Sequence, residues 1–397
     1  MYDLSGYAAM IVDEQRIDAY ARALEARVAP GAVVADLGAG SGIMALLACR
    51  AGASRVYAIE CGDVIQVARE AAAANGYADR ICFLQGTSRE IELPERVDGI
   101  VWDLRGAMPI FHDALTSLID ARDRWLKPGG WLIAERDTLW AGLISSPRLY
   151  ERHVAGWEHA QGFDFSAARG RAVNQSHGVD VEVGELVVEP RQWASLEYLQ
   201  VTHPNVSGTL GWTIDRPGVV HGLAVWFDTQ TAGGFGLSNS PTSARHVYSQ
   251  MLLPWPEPID FTPGDGVRIS LRADLTGVDY TLSWSTEIVR GDSRQSPRSF
   301  RQSTFKGSWL SADSLHRRSH DYVPTTNDWA LVDRRVLELL DGVHTLGAIA
   351  DRIAQEFPQQ VPTMADAVAR VAAVSERYRA RSRSAAAPGE AVPARRP

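Results

Sequence analysis

The segment from Val34 to Gly42 constrains the fold of this chain more than any other. An apolar run that ends at Leu37 meets a turn with glycines at positions 38, 40 and 42, and a second apolar run leads to Glu60. Glycine lets a backbone turn sharply and approach a bound ligand closely. A strand, a glycine-rich turn, a helix and a second strand that ends in an acid indicate a nucleotide-binding α/β unit, in which the acid binds ribose hydroxyls.

The spacing of this turn separates it from the dinucleotide fingerprint. The pattern is Gly-x-Gly-x-Gly, and Ile43 lies where the fingerprint has its third glycine. An ordinary strand–helix loop is the alternative interpretation. The departure disfavours NAD and suits S-adenosylmethionine, which has ribose hydroxyls but no pyrophosphate. Because strand, helix and acid are all in place, we predict a site for that cofactor.

The chemistry of each side chain predicts its role at this site. Asp36 and the glycines are expected to hold the methionine end of the cofactor. Glu60 offers a pair of acceptors to the ribose hydroxyls, and Arg16 offers a guanidinium to the methionine carboxylate. The predicted set is Arg16, Asp36, Gly38, Gly40, Gly42 and Glu60.

Composition excludes several classes of protein. The 397 residues leave room for two or three domains, and 45% hydrophobic with 22% charged residues is typical of a globular protein. A net charge of −8 argues against a nonspecific grip on nucleic acid, which needs clustered lysine and arginine. Apolar runs are too short for a membrane span and the first residues do not resemble a signal peptide, so we expect a cytoplasmic protein. Cys49, Cys61 and Cys82 have no metal-binding spacing, which favours buried free thiols and no metal site.

Hydrophobic patterning predicts three structured regions and a tail. Residues 1–140 alternate strands and helices, which predicts a Rossmann-like, doubly wound parallel sheet with its ligand at the carboxyl ends of the strands. Residues 141–312 contain short runs rich in β-branched and aromatic residues, which predict an antiparallel β barrel or sandwich. Trp212, Trp226 and Trp284 are expected in its core. Residues 322–378 predict a small helical module, and residues 379–397, rich in Ala, Pro, Ser and Arg, a disordered tail.

Residues 2–290 resemble the protein arginine methyltransferase family. The resemblance rests on a combination of segments: Tyr7–Arg16, Ala121–Gly130, Arg136–Trp140, Gly162–Phe165 and the set Gly233, Phe235, Ser238, Ser240 and Pro241. It implies that Met10 and Arg16 cover the cofactor, and Ser88 and Asp103 are assigned to the same site. It also implies a homodimer formed through an arm of the β domain. Our candidate for the arm is the segment from about Val179 to Trp193, with Val181, Val183, Leu186 and Val187.

The loop after the fourth strand departs from that family. The family grips arginine with two glutamates, and here Asp103 takes the first position and His112 the second, while Arg105 replaces a methionine. A guanidinium pairs best with two carboxylates. A histidine in place of one carboxylate and an added arginine therefore disfavour the binding of a cationic substrate. Of the family's Thr-His-Trp only His246 remains, and Arg89 replaces the adenine-side glutamate. The resemblance therefore implies the fold and the cofactor, but not an arginine acceptor.

Asp103, Arg105, His112 and His246 are the candidates for the acceptor site. Each has a structural alternative: Asp103 as a helix cap, Arg105 as the partner of Asp103 or Asp113, and the histidines as hydrogen-bonded structural residues. Arg105 also suggests an acceptor that carries a carboxylate. A neutral acceptor needs a base to take its proton.

The C-terminal region resembles a second family. Residues Val336–Ile349 contain a Leu-Asp-Gly-x-x-Thr motif similar to that of small winged-helix modules that bind leader peptides during ribosomal peptide maturation. We therefore expect an S-adenosylmethionine-dependent N- or O-methyltransferase of a small molecule or peptide in specialised metabolism. A protein arginine methyltransferase and a non-catalytic peptide-binding scaffold are the alternatives.

Overall fold

The computed structural model describes residues 3–157, 159–291 and 296–378, so the predicted disordered tail lies outside the described residues. Two compact units divide between Ser308 and Trp309. The first unit contains a parallel sheet and an antiparallel β domain, and the second contains the C-terminal helices. The predicted Rossmann-like fold, antiparallel domain and helical module are all present.

The parallel sheet has the strand order β3-β2-β1-β4-β5. The order reverses between β1 and β4, which creates a crevice at their carboxyl ends. Valine, isoleucine and alanine fill β1 and β4 because strands of a parallel sheet are buried on both faces. The elements are α1 (Leu4–Val12), α2 (Glu14–Arg27), β1 (Val33–Leu37), α3 (Ile43–Ala51), β2 (Arg55–Glu60), α4 (Ile65–Ala74), β3 (Ile81–Gln85), β4 (Val97–Trp102), α5 (Ala114–Trp125) and β5 (Leu126–Ile133).

The β domain follows without a break and shares one hydrophobic core with the parallel sheet. Its two larger sheets have the orders β10-β6-β12-β14-β9, with β13 paired to β12, and β11-β15-β16-β17. Trp212, Trp226 and Trp284 are buried, as predicted. The elements are β6 (Arg136–Ile144), α6 (Pro147–His153), β7 (His159–Ala160), β8 (Phe163–Asp164), α7 (Ser166–Ala172), β9 (His177–Val179), β10 (Arg191–Glu197), β11 (Val206–Thr213), β12 (Gly218–Ala232), β13 (Phe235–Ser238), β14 (Gln250–Phe261), β15 (Gly266–Thr276), β16 (Asp279–Val289), β17 (Arg298–Ser303) and α8 (Thr304–Gly307).

Two boundaries of this domain differ from a simple strand pattern. β10 ends at Glu197, and the carbonyls of Tyr198 and Val201 beyond it accept from Arg122 of α5 instead of joining a sheet. β6 begins at Arg136, so the antiparallel sheet starts before the boundary expected at residue 140.

The segment proposed as a dimerisation arm packs on its own chain. Val181 is buried, and Leu186 and Val187 contact hydrophobic cores of the same chain. Only Val183 of the four named residues is exposed. Exposed apolar side chains lie instead at Trp157, Phe163 and Phe165, so the original assignment of the arm was wrong.

The second unit contains α9 (Ala312–His316), α10 (Trp329–Leu339), α11 (Leu346–Glu356) and α12 (Met364–Tyr378). The described residues from Trp309 to Tyr378 include no strand. Its last three helices bury a hydrophobic core of their own. Trp329, Leu331 and Leu346, whose apolar spacing also predicts burial, are exposed. The core residues are Val332, Val336, Leu339, Ile349, Ala350, Ile353, Val361, Ala367, Val371 and Val374.

Three further observations concern the sequence-based exclusions. Among the described residues, no helix is long and apolar enough to cross a membrane. Within the same ranges, no group of His, Cys, Asp or Glu side chains has the arrangement of a metal site. Cys49 is buried, but Cys61 is exposed, so the expectation of buried thiols fails at that residue.

Candidate functional site

Two adjoining cavities lie where β1 and β4 end. The inner cavity, of about 80 Å³, is lined by Arg16, Asp36, Gly38 and Asp103 among others. The outer cavity, of about 410 Å³, is lined by Glu60, Ser88 and His112 among others. Both are lined by Tyr7, Gly38, Glu60, Leu104 and Phe111, so they form one continuous site.

Gly38 is required by the close approach of two segments. Its φ is +76°, and a Cβ atom there would lie 2.3 Å from the side chain of Leu104. Because β1 and β4 pair in parallel with Leu37 opposite Trp102, the glycine turn and the loop after β4 meet at this point. Glycine therefore both permits the turn and brings the loop over the crevice.

Asp36 leaves one carboxylate oxygen without a partner. The residue is 1% exposed, and Oδ2 has no hydrogen-bond partner among the described residues. Burial raises the pKa of Asp36 from 3.8 to about 7, and the nearby Glu60 contributes to the rise. An unpartnered buried carboxylate is costly, so this oxygen calls for a hydrogen-bond donor or a cation from a ligand.

Glu60 is held in a fixed orientation by backbone amides. Its Oε2 accepts from Gly40 N at 2.9 Å and its Oε1 from Gly62 N at 2.7 Å. Oε1 also receives a weak contact from Cys61 Sγ at 3.5 Å. Oε2 keeps a second lone pair, and a ribose hydroxyl can replace the weakly donating thiol at Oε1, so the carboxylate can accept from a pair of ribose hydroxyls. The glycine turn thus positions the acid at the end of β2.

Ser88 provides a second unsatisfied group. It is 1% exposed and its Oγ has no partner among the described residues. It begins a short 3-10 helix, Ser88–Glu90, whose Arg89 pairs with Asp113. Arg89 is therefore occupied by a carboxylate of the protein, and Ser88 is the polar side chain of this helix that lines the outer cavity.

These groups fit S-adenosylmethionine. The unpartnered Asp36 oxygen suits the ammonium group of its methionine end, and the ordered Glu60 carboxylate suits the ribose. Ser88 Oγ offers a hydrogen bond on the adenine side. Arg16 and Met10 both line the inner cavity. The cofactor would supply an electrophilic methyl group at this site.

Arg16 does more than the sequence predicted. Its Nε donates to Asp103 and its Nη1 donates to the carbonyl of Met10 at 2.9 Å. It thereby links α1, α2 and the loop after β4. Asp13 caps α2 through Arg16 N and also accepts from Val247 N at 2.8 Å, which ties the same helix to the β domain.

Asp103 is nearly saturated by donors from its own chain. Oδ1 accepts from Arg105 at 2.7 Å. The Tyr20 hydroxyl lies 3.1 Å from Oδ1 and 3.0 Å from the carbonyl of Trp102, and its one proton is shared between these two acceptors. Oδ2 accepts from Arg16 and from the Tyr248 hydroxyl at 2.8 Å. An ionised carboxylate has about four lone-pair sites, so three donors and a shared fourth leave little capacity for a substrate.

The charge state of Asp103 follows from these neighbours. Burial by itself raises the pKa of Asp103, but Arg16 and Arg105 outweigh it and lower that pKa to about 2. Burial and the Asp103 charge raise the pKa of Tyr248 well above 10, so that hydroxyl remains a donor. A group with so low a pKa is a poor general base near neutral pH. Asp103 therefore orients and neutralises cations and is unsuited to accept a proton.

Arg105 is a buried structural cation. It is 1% exposed, and besides Asp103 it contacts Asp137 of β6 through Nε at 3.0 Å and Nη2 at 3.3 Å. Asp137 also accepts from the Tyr198 hydroxyl. The suggestion that Arg105 binds a carboxylate of the acceptor is contradicted, because its guanidinium is committed to two carboxylates of the protein.

Neither histidine stands beside Asp103 as a base. His112 lines the outer cavity, is half exposed, and pairs through Nδ1 with Asp279 of β16. His246 donates from Nε2 to the carbonyl of Ser238 at 2.9 Å and accepts at Nδ1 from Tyr248 N at 3.3 Å. Nδ1 also lies 3.9 Å from Asp13 Oδ2, and both of these side chains are at most 5% exposed. Both ring nitrogens of His246 therefore have partners within the chain, and its catalytic role stays a prediction.

Sequence reasoning offered Asp103 as a structural partner of Arg105 and missed Asp137. Asp137 lies between Arg136 and Thr138 at the start of β6, so its local sequence does not reveal a buried ion pair. Tyr20, Tyr198 and Tyr248 gave no signal either, because tyrosine is common in cores. The cluster forms only when α2, β4, β6 and the β14 side of the β domain come together.

Two family models match overlapping parts of the chain. The model of ribosomal protein L11 methyltransferase matches residues 20–146, and the model of the arginine methyltransferase oligomerization subdomain matches residues 135–287. The overlap, residues 135–146, contains β6, the first strand after the parallel sheet.

Curated relatives agree with these models. Protein arginine N-methyltransferase 6 of Xenopus laevis is 31% identical over 296 residues, which are 71% of this chain and 84% of the relative. Protein arginine N-methyltransferase 1.1 of Arabidopsis thaliana is 30% identical over 264 residues, 64% of this chain and 68% of the relative. Probable protein arginine N-methyltransferase 6 of Arabidopsis thaliana is 32% identical over 251 residues, and the match spans 57% of its length.

Solved structures share the fold. The Trypanosoma brucei PRMT1 enzyme–prozyme heterotetrameric complex with AdoHcy has a TM-score of 0.68 at 23% identity, covering 75% of this chain and 97% of that chain. Arabidopsis thaliana protein arginine methyltransferase 10 has a TM-score of 0.67 at 22% identity, with 76% and 97% covered.

Proposed function

Because this chain belongs to the protein arginine methyltransferase family of S-adenosylmethionine-dependent enzymes, we propose that it transfers a methyl group from that cofactor to a nitrogen or oxygen of a peptide or small molecule. The observation that carries the proposal is the set of ready ligand contacts at the ends of β1 and β2. Asp36 has an unpartnered oxygen, and Glu60 is oriented by two amides. A scaffold without catalysis has no need for such a cradle.

The chain's residues contribute mainly binding and orientation. Asp36, Glu60 and Arg16 hold the two ends of the cofactor, while Leu104 and Phe111 of the loop after β4 line both cavities. Methyl transfer is a displacement in which alignment of the acceptor lone pair can supply much of the acceleration. A neutral acceptor must also lose a proton, and Asp103 is too weak a base to take it. The proton would pass to solvent water, which reaches the outer cavity beside the half-exposed His112.

The acceptor has two candidates. A protein arginine is favoured by the names of the curated relatives. An uncharged amine, amide or hydroxyl is favoured by the site itself, because Asp103 is nearly saturated and His112 faces the other cavity. We take the uncharged acceptor as the primary proposal and the arginine as the second. Specialised metabolism remains the setting that the C-terminal resemblance suggests.

Calorimetry with S-adenosylmethionine tests the proposal. We expect one site per chain, and a weaker affinity by about 1–3 kcal/mol in Glu60→Gln, which loses a carboxylate acceptor. Glu92→Gln, at an exposed side chain that pairs with Arg124, is the matched control and should bind normally. A wild-type chain that does not bind the cofactor would favour the scaffold.

Mass spectrometry of products separates the two acceptors. The enzyme would be incubated with labelled cofactor and with peptides that offer arginine, amine or hydroxyl groups. We expect poor labelling of generic Arg-Gly peptides. Abundant methylarginine on those peptides would establish the second candidate instead.

The C-terminal unit is proposed to recruit the substrate. Its own hydrophobic core supports independent folding, and a second binding site raises the effective substrate concentration without changing the chemistry. Deletion from Tyr322 onward should leave cofactor affinity intact and raise the apparent KM, with little loss of kcat. If the shortened chain unfolds or loses the cofactor, the unit is a structural cap.

A homodimer is proposed from the exposed apolar side chains of the β domain. Trp157 is 42% exposed, Phe163 68% and Phe165 47%, within nine residues of sequence. Light scattering should give a dimer at micromolar concentration, and Phe163→Ser should shift it toward the monomer. A wild-type monomer under those conditions would contradict the proposal.

A further inference from the structure

We propose that the Arg105–Asp137 pair is a specificity element that excludes cationic acceptors from Asp103, so that the enzyme is selective for uncharged ones. The inference rests on the proposed methyl transfer. It assigns a function to a buried pair that the binding of the cofactor does not use.

The pair holds a guanidinium permanently against Asp103. Arg105 donates two hydrogen bonds to Asp137 and one to Asp103, and the side chains of all three are at most 5% exposed. Planar two-point contact between guanidinium and carboxylate is the geometry in which such pairs are strongest. Arg105 thus occupies the position beside Asp103 that a cationic group of a substrate would otherwise take.

Arg105 is also prevented from swinging away. Its guanidinium carbon lies 4.8 Å from the ring centroid of Trp102, and its Nη1 donates to the Tyr20 hydroxyl at 2.8 Å. Asp137 is fixed in turn by the Tyr198 hydroxyl. Displacing Arg105 would break the contacts to Asp137 and leave that carboxylate buried without its counter-charge, which is strongly unfavourable.

Charge balance leads to the same conclusion. The cluster contains two aspartates, Asp103 and Asp137, and two arginines, Arg16 and Arg105, so it is neutral as it stands. A substrate guanidinium or ammonium placed beside Asp103 would add an uncompensated positive charge in a buried site. An amide, a hydroxyl or a neutral amine adds none.

The test compares arginine and citrulline peptides, since citrulline is an uncharged analogue of arginine. Calorimetry would measure binding of an acetyl-Arg-Gly peptide and its citrulline counterpart to the full chain with S-adenosylhomocysteine bound. We expect no arginine preference in the wild type. In Arg105→Met/Asp137→Asn, which removes one charge of each sign and keeps an acceptor for Tyr198, we expect arginine to bind about tenfold or more tightly than citrulline, the size of a charge-assisted hydrogen bond.

A matched control removes an ion pair elsewhere. Arg290 and Asp265 form a pair with side chains 11% and 1% exposed in the β domain. Arg290→Met/Asp265→Asn should alter stability without creating an arginine preference. This separates loss of a buried pair in general from loss of the pair at Asp103.

Several outcomes would overturn the inference. A wild-type preference for arginine of about tenfold would do so, as would a folded double variant that shows no preference. If the double variant does not fold, Arg105→Gln replaces it: this removes the internal cation and keeps an amide donor for Asp137, and a gained arginine preference supports the inference while its absence refutes it. Failure of the wild type to bind S-adenosylhomocysteine refutes the proposed function instead, so the two failures are distinguishable.

Discussion

Two buried aspartates end neighbouring strands of the same sheet and have opposite fates. Asp36, in β1, keeps an unpartnered oxygen and its pKa rises, chiefly through burial, to about 7. Asp103, just after β4, receives three donors and a shared fourth, and its pKa falls, against the effect of burial, to about 2 because of Arg16 and Arg105. Asp36 can thus still accept a hydrogen bond from a ligand, whereas the oxygens of Asp103 are already engaged by the protein.

The difference separates what a ligand must supply from what the protein already supplies. The cofactor side has buried acceptors without donors. Binding of the cofactor there would remove the free-energy cost of leaving those acceptors unpaired. On the acceptor side little capacity is left, so a charged substrate gains little and displaces internal partners. This contrast underlies our proposal that the chain combines the cofactor site of its family with a changed acceptor site.

The largest expected effect is from removing the charge of Asp103. Asp103→Asn leaves Arg16 and Arg105 with too little compensation and should lower the free energy of unfolding by about 3–5 kcal/mol. Denaturant unfolding followed by circular dichroism measures it. Glu257→Gln, whose pair with Arg298 is half exposed, is the control and should cost about 1 kcal/mol or less. Equal small losses in both variants would show that the cluster is not a coupled unit.

Asp36→Asn should have the opposite effect on the free protein. Because the folded-state pKa of about 7 lies above the ordinary value of 3.8, Asp36 costs stability as pH rises from 3.8 through about 7. The variant should therefore be more stable than the wild type at pH 8, by at most about 4 kcal/mol, and should match it near pH 4. Its cofactor affinity should fall, since the acceptor charge is gone. Identical stability of the two proteins across this range would contradict the assignment.

For Asp103 we expect the opposite dependence of stability on pH. Its folded-state pKa is depressed to about 2, so its contribution is present above pH 3.8 and is lost as pH falls from 3.8 toward 2. Acid unfolding monitored with Asp103→Asn as the reference should show the wild type losing its advantage in that window. A wild-type advantage that persists at pH 2 would break the comparison.

The smallest effect is expected at His112. Its pair with Asp279 has both side chains at least half exposed, so His112→Gln should change stability by about 1 kcal/mol or less. Cofactor affinity should remain close to that of the wild type. A large loss of affinity would show that the outer cavity depends on this contact more than its exposure indicates.

The sequence predicted the cofactor half well because that half is local. Asp36, the glycines and Glu60 lie within 25 residues, and the strand–turn–helix pattern determines where each points. The acceptor half was harder, because Tyr20, Asp103, Asp137 and Tyr248 come from distant positions. Whether Arg105 faces a substrate or a buried carboxylate depends on tertiary packing that no local pattern encodes. The dimerisation arm failed for the same reason, since apolar residues do not reveal whether their partner is the same chain or another.

The thin packing of α1 has a kinetic consequence. None of its nine residues is buried, yet its Tyr7 lines both cavities and Met10 is held only through its carbonyl and its place at the inner cavity. A helix this short is marginal by itself, so it should unravel far more often than the sheet beneath it. The wall of the cofactor site is therefore its least durable part. We therefore expect the bound product to leave on the timescale on which α1 unfolds. The lifetime of the product complex would then depend on a helix that takes no part in the chemistry.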